Sequence, residues 1–162
     1  REDFARALAA APEDLETLWK IIAGRTGEPG EALALVEAHR PAARSLEGAW
    51  LALRGLARWA LKDAARAEAD LQAAVKLDAD GVCSGPIFQA HRDLLAPRYF
   101  DLCVERFPED AKLYSDRGVA RYRQADLEGA VADFRKAAEL RPDDPAAQRS
   151  LASALEALQK TP

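Results

Sequence analysis

The sequence predicts an all-α chain built from recurring helix pairs, and three observations carry that prediction. Alanine supplies 36 of the 162 residues, and Ala loses no side-chain entropy on entering a helix. β-branched residues are scarce and no stretch alternates apolar with polar at period two, while the nine prolines and nine glycines fall mostly between apolar-periodic segments. The chain also matches itself. Shifted by 63 residues, Gly55 to Asp80 aligns with Gly118 to Asp143 without a gap, with 10 identities over 26 positions. They include Gly55 with Gly118, Arg58 with Arg121, Asp63 with Asp126 and Asp70 with Asp133. Self-similarity of this kind means stacked units rather than one undivided core.

A second spacing refines the first. Phe107-Pro108-Glu109-Asp110 and Arg141-Pro142-Asp143-Asp144 lie 34 residues apart. Between them, Gly118 and Ala130 are small where two helices must touch. Phe134 fills the gap that such a hairpin leaves, and Pro142 cannot continue a helix. With Tyr114 and Ala137, these residues make the segment resemble the tetratricopeptide repeat, a 34-residue pair of antiparallel helices. The earlier copy holds Leu51, Gly55, Ala67, Leu71, Ala74 and Ala79 at the same places, so its closing proline is missing. Both copies depart from the family where a tyrosine is usual. Arg58 and Arg121 stand there, with the aromatic one step later at Trp59 and Tyr122. In an antiparallel hairpin those arginines lie roughly opposite Asp70 and Asp133, so each pair should bridge its two helices within about 4 Å.

The resemblance implies a right-handed superhelical solenoid of antiparallel helix pairs, with a capping helix at its C-terminal end. Taken in order, residues 1–12 read as the end of a repeat, with Phe4 filling its hairpin and Pro12 ending it, or as an N-terminal helix. Together with the absence of any methionine, this reads as a piece of a longer or processed product. Residues 13–44 form a degenerate repeat, with Trp19 and Ala23 in its first helix, a turn at Gly27-Glu28-Pro29-Gly30 and Ala32 in its second helix. Residues 47–80 are a repeat and 81–110 a shortened one. In the latter, Val82 to Pro86 is expected as a loop, followed by a short helix from about Ile87 to Leu95 and another opening at Pro97. Residues 111–144 match the repeat best. Residues 145–160 form the capping helix, with an apolar stripe of Leu151, Leu155 and Leu158 opposite polar residues that can face water.

Composition and motifs argue against most chemistries. A formal charge of −4 offers no electrostatic footprint for a nucleic-acid backbone or an anionic membrane. No apolar run approaches the ~20 residues of a membrane span, so direct insertion is not expected. The 17 arginines against 6 lysines point to a GC-rich bacterial genome. Cys83 and Cys103 are too few for a disulfide framework and sit in no metal-ligand spacing; Cys103 reads as a small buried apolar residue, and the redox state of the pair stays open. His39 ends a helix, where a cation is favoured, and His91 has no partners for a catalytic triad. There is no P-loop, GxGxxG or HExxH. Glu13-Asp14 and Asp143-Asp144 follow prolines as helix caps, and Arg117, Arg121, Arg123 and Arg135 are interleaved with Asp116, Asp126, Glu128 and Asp133 as a mixed face. No catalytic residue, cofactor or metal is therefore expected.

What remains is binding. Stacked hairpins present a concave surface. The resemblance lines it with the first helix of each repeat: Ala49, Ala52, Leu56 and Trp59 from one copy, then Lys112, Ser115, Val119 and Tyr122 from the next, with Ala146, Arg149 and Ser153 from the cap. Trp and Tyr suit such a role because they bring large contact area at low entropic cost. The Lys, Asn and Arg clamp by which some family members grip acidic C-termini is missing, since its places hold Ala52, Leu56 and Asp116. The expected partner is another protein, through an amphipathic helix or an extended apolar segment, or a neighbouring copy of the same chain. A non-catalytic scaffold or adaptor is the leading expectation. The alternatives are the repeat region of a larger enzyme and an extracytoplasmic assembly lipoprotein of a secretion or pilus system.

Overall fold

In the computed structural model the described residues are 29–85, Phe88 and 97–160. They are helical, without a strand among them. In chain order the helices are α1 (Pro29–Ala38), a short 3-10 turn (Arg44–Leu46), α2 (Glu47–Ala60), α3 (Ala64–Leu77), α4 (Ala79–Ser84), α5 (Pro97–Arg106), α6 (Ala111–Arg123), α7 (Leu127–Leu140) and α8 (Pro145–Lys160). The chain divides into two compact units, Arg1–Ala90 and His91–Pro162. The expected helices holding Phe4, Trp19 and Ala23, and most of the one from Ile87 to Leu95, lie outside the described residues, as does His91.

Local chemistry accounts for the identities at a spacing of 63. Asp63 caps α3 by accepting from the Arg66 backbone N–H, and Asp126 caps α7 by accepting from that of Gly129. Each capping residue is preceded by a non-glycine residue in the left-handed region, Lys62 and Ala125, both at φ 61°. The Lys62 N–H donates to the Trp59 carbonyl and the Asp63 N–H to that of Arg58; Ala125 and Asp126 repeat this with Tyr122 and Arg121. Both hairpin turns therefore close α2 and α6 with a Schellman motif. Asp110 and Asp144 likewise cap α6 and α8 through the Lys112 and Ala146 N–H groups.

In the first unit, α2 and α3 run antiparallel, because Gly48 lies against Ala74 and Asp78 while Gly55 lies against Ala67, Asp70 and Leu71. A side chain at Gly55 would come within 3.0 Å of Leu71 Cγ and 3.1 Å of the Ala67 carbonyl oxygen, so the helices meet where no Cβ fits easily. Ala52, Leu53, Ala57, Ala67, Leu71 and Ala74 form the buried seam. Trp50, almost fully buried, ties α1 to α2: its indole N–H donates to the Val36 carbonyl at 2.8 Å, and the Arg54 guanidinium stacks 4.4 Å from its ring centroid. At the end of α1, His39 Nδ1 lies 2.8 Å from the Leu35 carbonyl, where its N–H satisfies one of the helix's last acceptors.

Residues 82–84 depart from the sequence expectation. They are the end of helix α4, and Val82 and Cys83 are buried. Asp78 makes this possible by accepting from the Gly81 N–H, which starts a fresh helical turn directly after α3. The cysteines also differ from the simplest reading of them. Both are buried as expected of small apolar residues, but neither is a free thiol: each is disulfide-bonded.

The second unit repeats the hairpin with larger side chains. α6 and α7 run antiparallel, with Gly118 against Phe134 and the Arg121 side chain reaching the Gly129 carbonyl. Ala130, Val131, Phe134 and Ala154 form a buried cluster, against which Leu151, Leu155 and Leu158 of α8 pack. α5 contributes buried Tyr99, Phe100, Cys103 and Val104. Burial pushes the Tyr99 phenol far above its ordinary range, so it stays neutral under any physiological condition.

Candidate functional site, a basic-rimmed groove on the second unit

Each hairpin is organised around one buried carboxylate. Asp70 is 5% exposed and Asp133 2% exposed. The Arg58–Asp70 and Arg121–Asp133 bridges expected from the repeat are present, at 2.7 and 3.0 Å. Each carboxylate also receives a second arginine from one helical turn earlier. Arg54 donates to Asp70 through Nε and Nη2 at 2.9 and 2.6 Å, and Arg117 grips Asp133 in the same forked way, at 3.0 and 2.6 Å. The helix before each hairpin adds an acid: Glu37 of α1 meets Arg58 at 3.0 Å, and Asp101 of α5 meets Arg117 and Arg121 at 3.0 and 3.3 Å. The hydrogen bonds to Asp70 hold the Arg54 guanidinium charged above its already high value. For Arg117, burial acts the other way, yet the bonds to Asp133 and the charge of Asp101 outweigh it.

These arginines are committed to internal carboxylates, and the residues beside them are more open to solvent. On α6, one step past Arg121, Tyr122 is 41% exposed, and Val119 on the same face is 38% exposed. They wall a largely apolar groove of about 440 Å³ that Arg123 of α6, Phe134 of α7 and Arg149, Ser150 and Ser153 of α8 complete. Phe134 is its buried floor, seated there because Gly118 has no Cβ: one would lie 2.7 Å from Phe134 Cε1. Ser150 and Ser153 offer hydroxyls on the α8 side, and both charged lining residues are arginines.

The sequence-derived site residues distribute unevenly. Val119, Tyr122 and Arg149 meet in this groove, with Ser153. Ser115 is half-buried on α6, and Lys112 pairs with Asp116 at 3.0 Å. In the first unit Leu56 and Trp59 are half-buried, whereas Ala52 is fully covered and has no surface to offer. Arg123, Phe134 and Ser150 were not among the expected contacts. Arg123 follows Tyr122 directly and Ser150 follows Arg149, so the groove positions that the resemblance implies pass over them. Among the described residues, no group of three or more His, Cys, Asp or Glu is placed to hold a metal ion. No described helix is long and apolar enough to cross a membrane.

The tetratricopeptide repeat model matches residues 51–80 and 111–144, the two segments that hold the paired hairpins. Those two segments match the tetratricopeptide repeat. No curated protein matches the sequence. Among solved structures it is similar to a MamA RS-1 double mutant, at 22% identity and a TM-score of 0.47, covering 91% of this chain and 86% of that one. It is also similar to MamA 41-end from Desulfovibrio magneticus RS-1, at 23% identity and a TM-score of 0.40, with 91% and 93% covered. A third, MamA MSR-1 C2, gives 20%, 0.46, 88% and 82%. The two matched repeats support, in the general sense, a protein–protein interaction module.

Proposed function

We propose that the chain is a non-catalytic scaffold that docks a segment of a partner protein in the groove walled by Val119 and Tyr122. The observation that carries this reading is that two large apolar side chains stand open to solvent over a buried aromatic floor. Elsewhere in the hairpin, apolar residues of that size are buried or half-buried. An anchor seated there would remove Tyr122, Val119 and the Phe134 edge from water together, the arrangement in which a few residues supply most of the binding energy. A photo-crosslinking amino acid at position 122 in the full chain should capture a discrete partner, and the same residue at Arg135, exposed on α7 and not lining the groove, should not. Tyr122→Ala should weaken capture of that partner by at least about tenfold, the loss of a mid-sized hot spot. Equal crosslinking from positions 122 and 135 would sink the proposal.

A second reading, as an extracytoplasmic assembly factor, draws on one observation: both cysteines are disulfide-bonded, and disulfides persist in oxidising compartments. Protein denatured without reductant is expected to show no thiol to an alkylating mass tag, and two after reduction. Alkylation of both cysteines in intact cells, before any reductant is added, would remove the support for that compartment.

A further inference from the structure

We infer that the segment docked in this groove is acidic as well as apolar: an aromatic or leucine anchor with an Asp or Glu side chain beside it. The inference deepens the docking reading and rests on it. The chain as a whole is acidic, at −4, yet both charged residues lining the groove are arginines and no carboxylate lines it. Arg149 is exposed and makes no ion pair among the described residues, in contrast to Arg117 and Arg121, which are each committed to Asp101 and Asp133. Among the charges outside the groove, Lys112 pairs with Asp116 on α6 and Glu156 with Lys160 on α8. The charged side chains that line the groove are therefore both cations, in a chain whose net charge is negative. An incoming carboxylate gains a forked guanidinium partner, while a lysine there meets like charge. The apolar floor limits where that carboxylate can lie: only at the rim, next to an anchor that occupies the space over Phe134.

A random dodecapeptide display library panned against the full chain tests this directly. Selected peptides are expected to place Asp or Glu within a few residues of Phe, Trp, Tyr or Leu. Against Arg149→Ala the acidic preference should fade while the apolar one remains, and against Tyr122→Ala both should vanish. For a selected peptide synthesised with an amidated C-terminus, exchanging its Glu or Asp for Gln or Asn should weaken binding about tenfold, the size of one charge-assisted hydrogen-bonded pair. The Arg149→Ala chain should bind the charged and neutral peptides alike. Apolar peptides without acidic residues, dependent on Tyr122, would overturn the charge inference and leave the groove reading standing. Enrichment that ignores Tyr122, or none at all, would overturn both.

Discussion

Replacing Asp133 by alanine should destabilise the second unit by about 3–5 kcal/mol, seen as a lower midpoint in urea unfolding. The carboxylate is 2% exposed and accepts from both Arg117 and Arg121. Its removal leaves two mostly buried guanidinium groups with Asp101 and, for Arg121, Asp126 at 3.8 Å as their remaining acids, both more exposed than Asp133, and stripping one partner from a buried ionic cluster costs far more than the cluster contributes as a whole. Asp101→Ala is the contrasting case. That side chain is about a quarter exposed, so its loss is expected to cost under about 1 kcal/mol. Exchanging Arg117, Arg121 and Asp133 together for Met, Leu and Leu should regain most of what Asp133→Ala loses, because no buried charge is then left unpaired. If Asp133→Ala unfolds at the wild-type midpoint, the cluster is not under the constraint that its geometry describes.

The second large effect is expected at Gly118. A methyl group there would meet three ring atoms of Phe134 at 2.7 to 3.1 Å, closer than packed carbon atoms tolerate. Phe134 is buried against Ala130, Val131 and Ala154 and cannot swing away without opening that cluster. Gly118→Ala should therefore cost about 1–3 kcal/mol despite alanine's better helix propensity. The companion change Phe134→Leu should itself be destabilising. In the double variant the two costs should add to less than their sum, by about 1 kcal/mol, because leucine vacates part of the space that the new methyl needs. The first unit shows the smaller pairing already, with Gly55 facing Leu71. Strict additivity would mean that the close approach of Gly118 and Phe134 does not set the spacing of α6 and α7.

The repeat was legible in the sequence because its markers do local work. Asp63 and Asp126 are caps, Gly55 and Gly118 are contact points, and each acts within a single hairpin whose loop length is fixed. The bridges from Arg58 and Arg121 could be read for the same reason. Arg54 and Arg117 could have been found with them: they are identical at the 63-residue spacing and stand four residues before Arg58 and Arg121, on the same helix face. Glu37 and Asp101 could not. They come from the preceding helix, 64 residues apart, and so fall out of step with everything else. Trp50 was equally hidden, since nothing in its own hairpin announces that its indole will reach the Val36 carbonyl. In the groove, Tyr122 and Arg149 followed from the positions that the repeat resemblance implies, while Ala52 shows where that carry-over fails. A small residue on the right face is covered when its neighbours close over it.

The alanine-rich seams pose a problem that the buried carboxylates answer. Alanine surfaces are nearly featureless, so two such helices could slide past each other by one turn and exchange one set of methyl contacts for another at little cost. A slipped hairpin, however, would take from Asp133 one of the two arginines, a turn apart, that it now accepts from together, and leave part of a buried carboxylate unsatisfied. The same holds for Asp70 and Arg54. In each hairpin one acid acts as an alignment pin, fixing the register that smooth packing leaves free.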